Sequence, residues 1–206
     1  MARKSNSLHG NAPDTCPVAL LVIDMINDLE FDGGQKLLPG ALRAAKAIAA
    51  LKRRARAAGV PVIYTNDNFG RWRSDFREAV DHCLHDGVRG QPLAELLRPE
   101  KDDYFVLKPK HSGFYATTLE TLLEYLGAER LVLAGVNGDT CVLATAMDAY
   151  LRDFELYVPR DCTSSISGAG NRSALAYMKR MLDADTRPAA KLDMARLARR
   201  RAGGRH

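Results

Sequence analysis

LVLAGVNGDTCVLATAMDAY, residues 131–150, decides the fold. An apolar run opens it, Gly135 and Gly138 break that run, and from about Asp139 the apolar residues recur at helical spacing. Unbroken hydrophobicity suits a strand covered on both faces, and a strand that turns directly into a helix is the unit of a parallel α/β sheet. Cys141 falls in the first turn of that helix. Unpaired N–H groups and the positive end of the helix dipole lie beside it, and both favour the thiolate, the nucleophilic form. The same position also suits a small apolar side chain packed under the helix, because free cysteine is among the most buried residue types.

Working outward, further apolar runs predict strands at 18–23, 61–65, 103–107, 130–134 and 154–158. Helical patterns alternate with them: 40–58 and 116–126, each stopped by a glycine (Gly59, Gly127), then about 139–152 and about 170–183. Alternating strands and helices imply right-handed crossovers and a three-layer α/β/α sandwich around a central, mostly parallel sheet. The stretch 67–100 is the least regular and reads as short helices with a lid-like excursion. Residues 1–16 read as a loose arm, 17–186 as the domain and 187–206 as a basic tail.

With 206 residues, 46% hydrophobic and 27% charged, the chain suits one ordinary globular domain, and no apolar run approaches the ~20 residues of a membrane span. The N-terminal residues lack the apolar segment of a secretory signal. Cys16, Cys83, Cys141 and Cys162 show no CxxC spacing, which argues against a disulfide framework or zinc knuckle and fits a reducing cytoplasm. The formal charge of +5 is concentrated at the C-terminus: from Arg187 onward seven basic residues face one acid, Asp193, leaving the rest of the chain at −1. A solvated, Arg-rich end without interleaved aromatics argues against nucleic-acid binding.

Parallel sheets bind ligands at the carboxyl ends of their strands, near the reversal of strand order. Asp24 follows the first predicted strand, Lys108 the third and Cys141 the fourth, so three chemically distinct groups share one edge. A thiol near its free pKa of ~8.5 needs a proton acceptor and a compensating cation to act at neutral pH. Asp24 can supply the first and Lys108 the second. Singly, the aspartate also reads as a turn former and the lysine as a solvated side chain.

Three segments together resemble the isochorismatase-like cysteine hydrolases, over about residues 17–165. LLVIDMINDLEF is similar to the family's strand followed by D-x-x-N-D-F, placing the catalytic Asp at Asp24, with Asn27 and Asp28 accompanying it. LKPKHSGFYATTLETLL resembles K-x-x-x-S-A-F-x-G-T-x-L, placing the catalytic Lys at Lys108 rather than Lys110. LVLAGVNGDTCVLATAMDAY is close to the nucleophile segment and places the nucleophile at Cys141; VPRDCTSS is a weaker fourth match, with Cys162 in place of a small residue.

The resemblance implies a cysteine-dependent hydrolase, an amidohydrolase that cleaves a small amide, imide or ureido/carbamoyl compound through a thioester on Cys141. Asp24 would serve as general base and acid and Lys108 as electrostatic support. It further implies a cis peptide joining Val136 to Asn137, which aims the Asn137 N–H, with that of Cys141, at the developing oxyanion. Homo-oligomers, dimers or tetramers, are expected from the relatives.

Departures from the family pattern narrow the expectation. Nicotinamidases carry a D-x-H metal motif after the second strand; here Asp67 is present but Phe69 stands where the histidine would be. An apolar ring cannot ligate a metal, so no metal and no cofactor is expected. The DHCLHD run (81–86) puts His82 and His85 at i, i+3, where they could in principle hold a metal, but it reads far more strongly as a polar surface turn. Leu29 replaces the usual aromatic, a role that falls to Phe31. Asn68, Phe69, Arg71 and Trp72 are candidate substrate contacts, Arg71 for a carboxylate and Trp72 for a planar group, with a solvated arginine and a packing anchor as the alternatives. His111 follows Lys108 closely enough to shield the site or contact substrate. Rival readings are a vinyl-ether hydrolase of the isochorismatase type and a catalytically silent interaction protein on the same scaffold. A dinucleotide-binding oxidoreductase lacks its G-x-G-x-x-G after the first strand.

Overall fold

A computed structural model describes residues 14–68 and 75–199. Strands β1 (Val18–Ile23), β2 (Val62–Asp67), β3 (Tyr104–Lys108), β4 (Arg130–Val136) and β5 (Glu155–Tyr157) lie in the order β3-β2-β1-β4-β5, every pairing parallel. A short β6 (Thr163–Ser164), not anticipated from the sequence, pairs with the last two residues of β4. Two residues carry too little hydrophobic pattern to announce a strand.

Strand alternation divides the interior. Val18, Leu20 and Val22 of β1 face one core with α1 (Gly34–Ala57), α2 (Phe76–His85) and α3 (Gln91–Leu96). Ala19, Leu21 and Ile23 face a second core with α4 (Leu119–Leu126), α5 (Leu143–Tyr150) and α6 (Gly168–Met181). All six residues of β1 are buried, which is why the run shows no polar alternation. The three-layer sandwich expected from the sequence is the fold observed.

Element boundaries differ for identifiable reasons. Helix α1 begins at Gly34, six residues before its expected start, with Pro39 inside it. Pro39 removes one donor inside the helix, and the burial of Leu37 on the added turn offsets that cost. Helix α4 starts at Leu119 rather than 116, because Ala116 has φ 52° and the Thr117 hydroxyl accepts from the Leu119 N–H. The irregular 67–100 region contains α2 and α3.

The described parts of both terminal segments pack on the body. Within the predicted arm, Cys16 is buried and Tyr104 donates to Asp14 at 2.7 Å. The basic stretch from Arg187, expected to be a solvated end, packs on the body as far as Arg199. Leu192 and Met194 enter the α1 core, helix α7 (Met194–Leu197) follows, and Arg54 and Arg130 donate to the carbonyls of Ala189, Leu192 and Leu197. Just before it, Asp185 forms a single parallel bridge to Tyr157 on the outer side of β5: its N–H donates to Leu156 O and its carbonyl accepts from Val158 N–H. Among the described residues no helix is long and apolar enough to cross a membrane.

Candidate active site

The order β3-β2-β1-β4 places its reversal between β1 and β4, and the carboxyl ends there carry Asp24 and Asn137. Asp24 leaves β1 with φ 52°, a left-handed turn that swings the chain across the sheet edge. Its backbone N–H donates to Thr65 O at 3.0 Å, and Asn66 secures the following turn by accepting from Ile26 N–H (3.3 Å) and donating to Ile26 O (2.7 Å). Asn66 is fully buried, and sequence reasoning missed it; a lone amide inside an apolar strand run was the available signal.

Lys108 ends β3 and reaches under β2 toward β1. Its ammonium lies 2.8 Å from Asp24 Oδ2, 3.7 Å from Cys141 Sγ, 3.6 Å from an Asp67 carboxylate oxygen and donates to Lys110 O at 3.2 Å. The other Asp24 oxygen accepts from the Asp67 N–H at 2.6 Å. Asp67 thus holds both members of the pair, one through its backbone and one through its side chain. The Asp24 carboxylate and the Asn137 backbone N–H act on the Cys141 thiol in opposite senses, the first raising its pKa and the second lowering it.

Burial, partners and charge together set the resting protonation. Burial pulls the Lys108 pKa down, but Asp24, the sulfur and Asp67 outweigh it, so the ammonium is held above its ordinary range. An ion pair alone would lower Asp24; complete burial raises it instead, against the pull of Lys108, the thiol and the Asp67 N–H. Cys141 is pushed up from 9.0 to about 12 by burial and then by Asp24, with Lys108 and the Asn137 N–H opposing. The helix start, which favours the thiolate, is opposed at this site. Desolvation and a neighbouring carboxylate outweigh the helix terminus, and the sulfur rests as a thiol beside its base.

The local backbone differs from a plain helix start. The Val136–Asn137 peptide is cis, and residues Gly138–Val142 form a π-turn closed by Val142 N–H to Asn137 O at 3.1 Å. Gly138 permits it: a Cβ there would lie 2.0 Å from Asn171 Oδ1. Behind the turn, the Asp139 N–H donates to Ser165 Oγ, which in turn reaches Asn171.

Among the predicted substrate contacts, His111 is brought to the site, with Nδ1 3.8 Å from Sγ on the exposed side. Asn68 follows β2 and donates its backbone N–H to Lys108 O. Leu29, with φ 58°, is buried in the α1 core and does not line an opening, while Phe31 is partly exposed on the segment leading to α1. Phe69, Arg71 and Trp72 lie outside the described residues. His82 bridges Asp86 (2.7 Å) and Asp28 (3.4 Å), fastening α2 to the turn after Asp24.

A parallel three-layer sheet with carboxylate, ammonium and thiol gathered at its order reversal places the chain among the isochorismatase-like hydrolases. The family model for the Isochorismatase domain matches residues 18–186, and the chain belongs to that family as one of its hydrolases. The chain is 40% identical to an uncharacterised isochorismatase family protein, YaaI, of Bacillus subtilis, over 81% of this chain and 91% of that one. It is 31% identical to the maleamate amidohydrolase of Pseudomonas putida, over 82% and 79%. Its structure resembles N-carbamoylsarcosine amidase from Thermoplasma acidophilum with a TM-score of 0.65 and 26% identity, covering 85% of this chain and 98% of the other.

Proposed function

We propose that the protein is a cysteine-dependent amidohydrolase that cleaves the C–N bond of a small amide, imide or ureido compound through a thioester on Cys141. The observation that carries this reading is the convergence of Asp24, Lys108 and Cys141, with the ammonium 2.8 Å from the carboxylate and 3.7 Å from the sulfur. Relatives named for maleamate and N-carbamoylsarcosine support the same bond class.

Asp24 accepts the thiol proton as sulfur adds to the carbonyl carbon. The raised carboxylate pKa makes it a stronger base than an exposed aspartate, while Lys108 offsets the negative charge passed between them. The Asn137 N–H, together with that of Cys141, receives the new oxyanion. Collapse breaks the C–N bond, and Asp24 returns its proton to the departing nitrogen. Water then gives a proton to Asp24 and attacks the thioester; the C–S bond breaks and the proton goes back to sulfur, releasing the acid.

The test is ammonia release across a panel of amides, ureas and carbamoyl acids that includes maleamate, with intact-mass analysis of Cys141 during turnover. An acyl adduct that disappears in Cys141→Ala together with ammonia release supports the proposal. Full turnover by Cys141→Ala refutes it.

A further inference from the structure

Cys141, Thr145, Asp148 and Arg152 stand at i, i+4, i+7 and i+11, one face of the helix that carries the nucleophile. That face grips the loop after β3 residue by residue. The Thr145 hydroxyl accepts from Gly113 N–H at 3.0 Å and donates to the Cys141 carbonyl at 2.7 Å, so one oxygen joins the loop to the nucleophile's own peptide. Asp148 hydrogen-bonds to the Ser112 hydroxyl, which also accepts from Phe114 N–H at 3.2 Å. Arg152 lies 4.8 Å over the Phe114 ring and donates to Asp148 O. Thr145 is fully buried, and Ser112 and Phe114 are nearly so.

The residue immediately before this gripped stretch is His111, whose ring meets Sγ from the open side. Just before His111, the Lys110 carbonyl and the Lys108 ammonium that donates to it complete the opposite wall. Helix and loop are therefore one unit around the sulfur, and the unit does not include Asp24, which arrives from another strand.

We propose that Thr145 and Asp148 are positioning residues for hydrolysis: by clasping Gly113 and Ser112 to the helix of Cys141, they hold the His111 wall against the thiol and set both its orientation and its access. The proposal rests on Cys141 being the nucleophile. Preorganised sites lose rate steeply when a reacting group drifts, by about a hundredfold for a displacement near 1 Å. The clasp prevents that drift without touching substrate.

The four cysteines supply the measurement. All are free and buried, with exposures of 4% for Cys16, 3% for Cys83, 8% for Cys141 and 0% for Cys162. Iodoacetamide labelling at fixed pH, resolved by peptide mass spectrometry, therefore separates local opening at Cys141 from general loosening. In Thr145→Val, Cys141 labelling rises by about tenfold, the factor for one lost hydrogen bond of ordinary strength, while the other three stay at wild-type rates. Turnover of the best panel substrate falls by about tenfold or more, and the loss appears in kcat rather than KM. Thr145→Ser restores both.

Ser112→Ala and Asp148→Ala repeat the pattern through the second tie, and their double variant is no worse than either alone. Wild-type Cys141 labelling in Thr145→Val, or an equal rise at all four cysteines, overturns the clasp. Because labelling needs no substrate, that failure is distinct from failure of the amidohydrolase reading, which full activity in Cys141→Ala reveals.

Discussion

The Lys108 ammonium lies 2.8 Å from Asp24 Oδ2, with its own side chain fully shut off from solvent. One strand, β2, lies between their origins in the sheet, so a long, fully buried side chain is needed to make the contact. A buried cation is tolerated here because two carboxylates, a carbonyl and the sulfur surround it.

Lys108→Met retains length but removes the charge. Turnover is expected to fall by about 10²–10³, the loss seen when one preorganised electrostatic group is deleted. Ammonia release measures it, and circular dichroism checks that the fold persists. Activity within threefold of wild type contradicts the role given to the lysine.

Activity should rise with pH as Asp24 ionises, because only the carboxylate accepts the thiol proton. Since Asp24 is raised by burial, the midpoint of this limb lies above the ordinary carboxylate range. The fall on the alkaline side tracks deprotonation of Lys108, itself held high once the neighbouring anions outweigh burial. A kcat/KM profile with an acid limb at pH 4 or below is inconsistent with this arrangement.

The thiols make the fold sensitive to base. Unfolded, Cys141 ionises near 9.0; folded, it keeps its proton until about 12. Native protein thus binds an extra proton between those values, and the associated stability is complete below pH 9 and declines toward pH 12 by up to about 1.4 kcal/mol per pH unit per thiol. Burial, and then Asp161, pushes Cys162 up as well, so it adds to the same decline. Urea melts between pH 8 and 11 should show the loss, with a shallower slope in Cys162→Ala.

Gly135 adopts φ 140° at the end of β4, where a Cβ would lie 2.0 Å from Ile23 O. Alanine there is expected to cost about 3 kcal/mol, because backbone rather than a flexible side chain must give way. A melt of Gly135→Ala indistinguishable from wild type rules this out.

Below the sheet, Lys52 is buried against Asp103 at 2.7 Å, with Arg56 on the second carboxylate oxygen. Asp103→Asn leaves a buried ammonium short of its partner and should destabilise by about 3 kcal/mol without altering kcat. Chemical denaturation and the ammonia assay test the two halves independently.

The positions of Asp24, Lys108 and Cys141 were legible because each lies at or just past the end of a strand whose hydrophobic run is unmistakable. Parallel order then brings their ends together. The opposition between burial and the helix start at Cys141 was not legible, because a helix start is visible in sequence, whereas desolvation depends on everything packed above it. The π-turn at Gly138–Val142 was hidden too: its one extra residue alters the hydrogen-bond span, not the hydrophobic period. The Thr145–Gly113 tie joins segments 32 residues apart, and nothing local to either announces it.

Asp185 has a consequence for self-assembly. A bare rim on β5 would offer its main chain to any stray extended segment, the usual route to runaway stacking. With Leu156 O and Val158 N–H already engaged, that rim is spoken for at its centre. An extended segment adding there would first have to displace the Asp185 stretch.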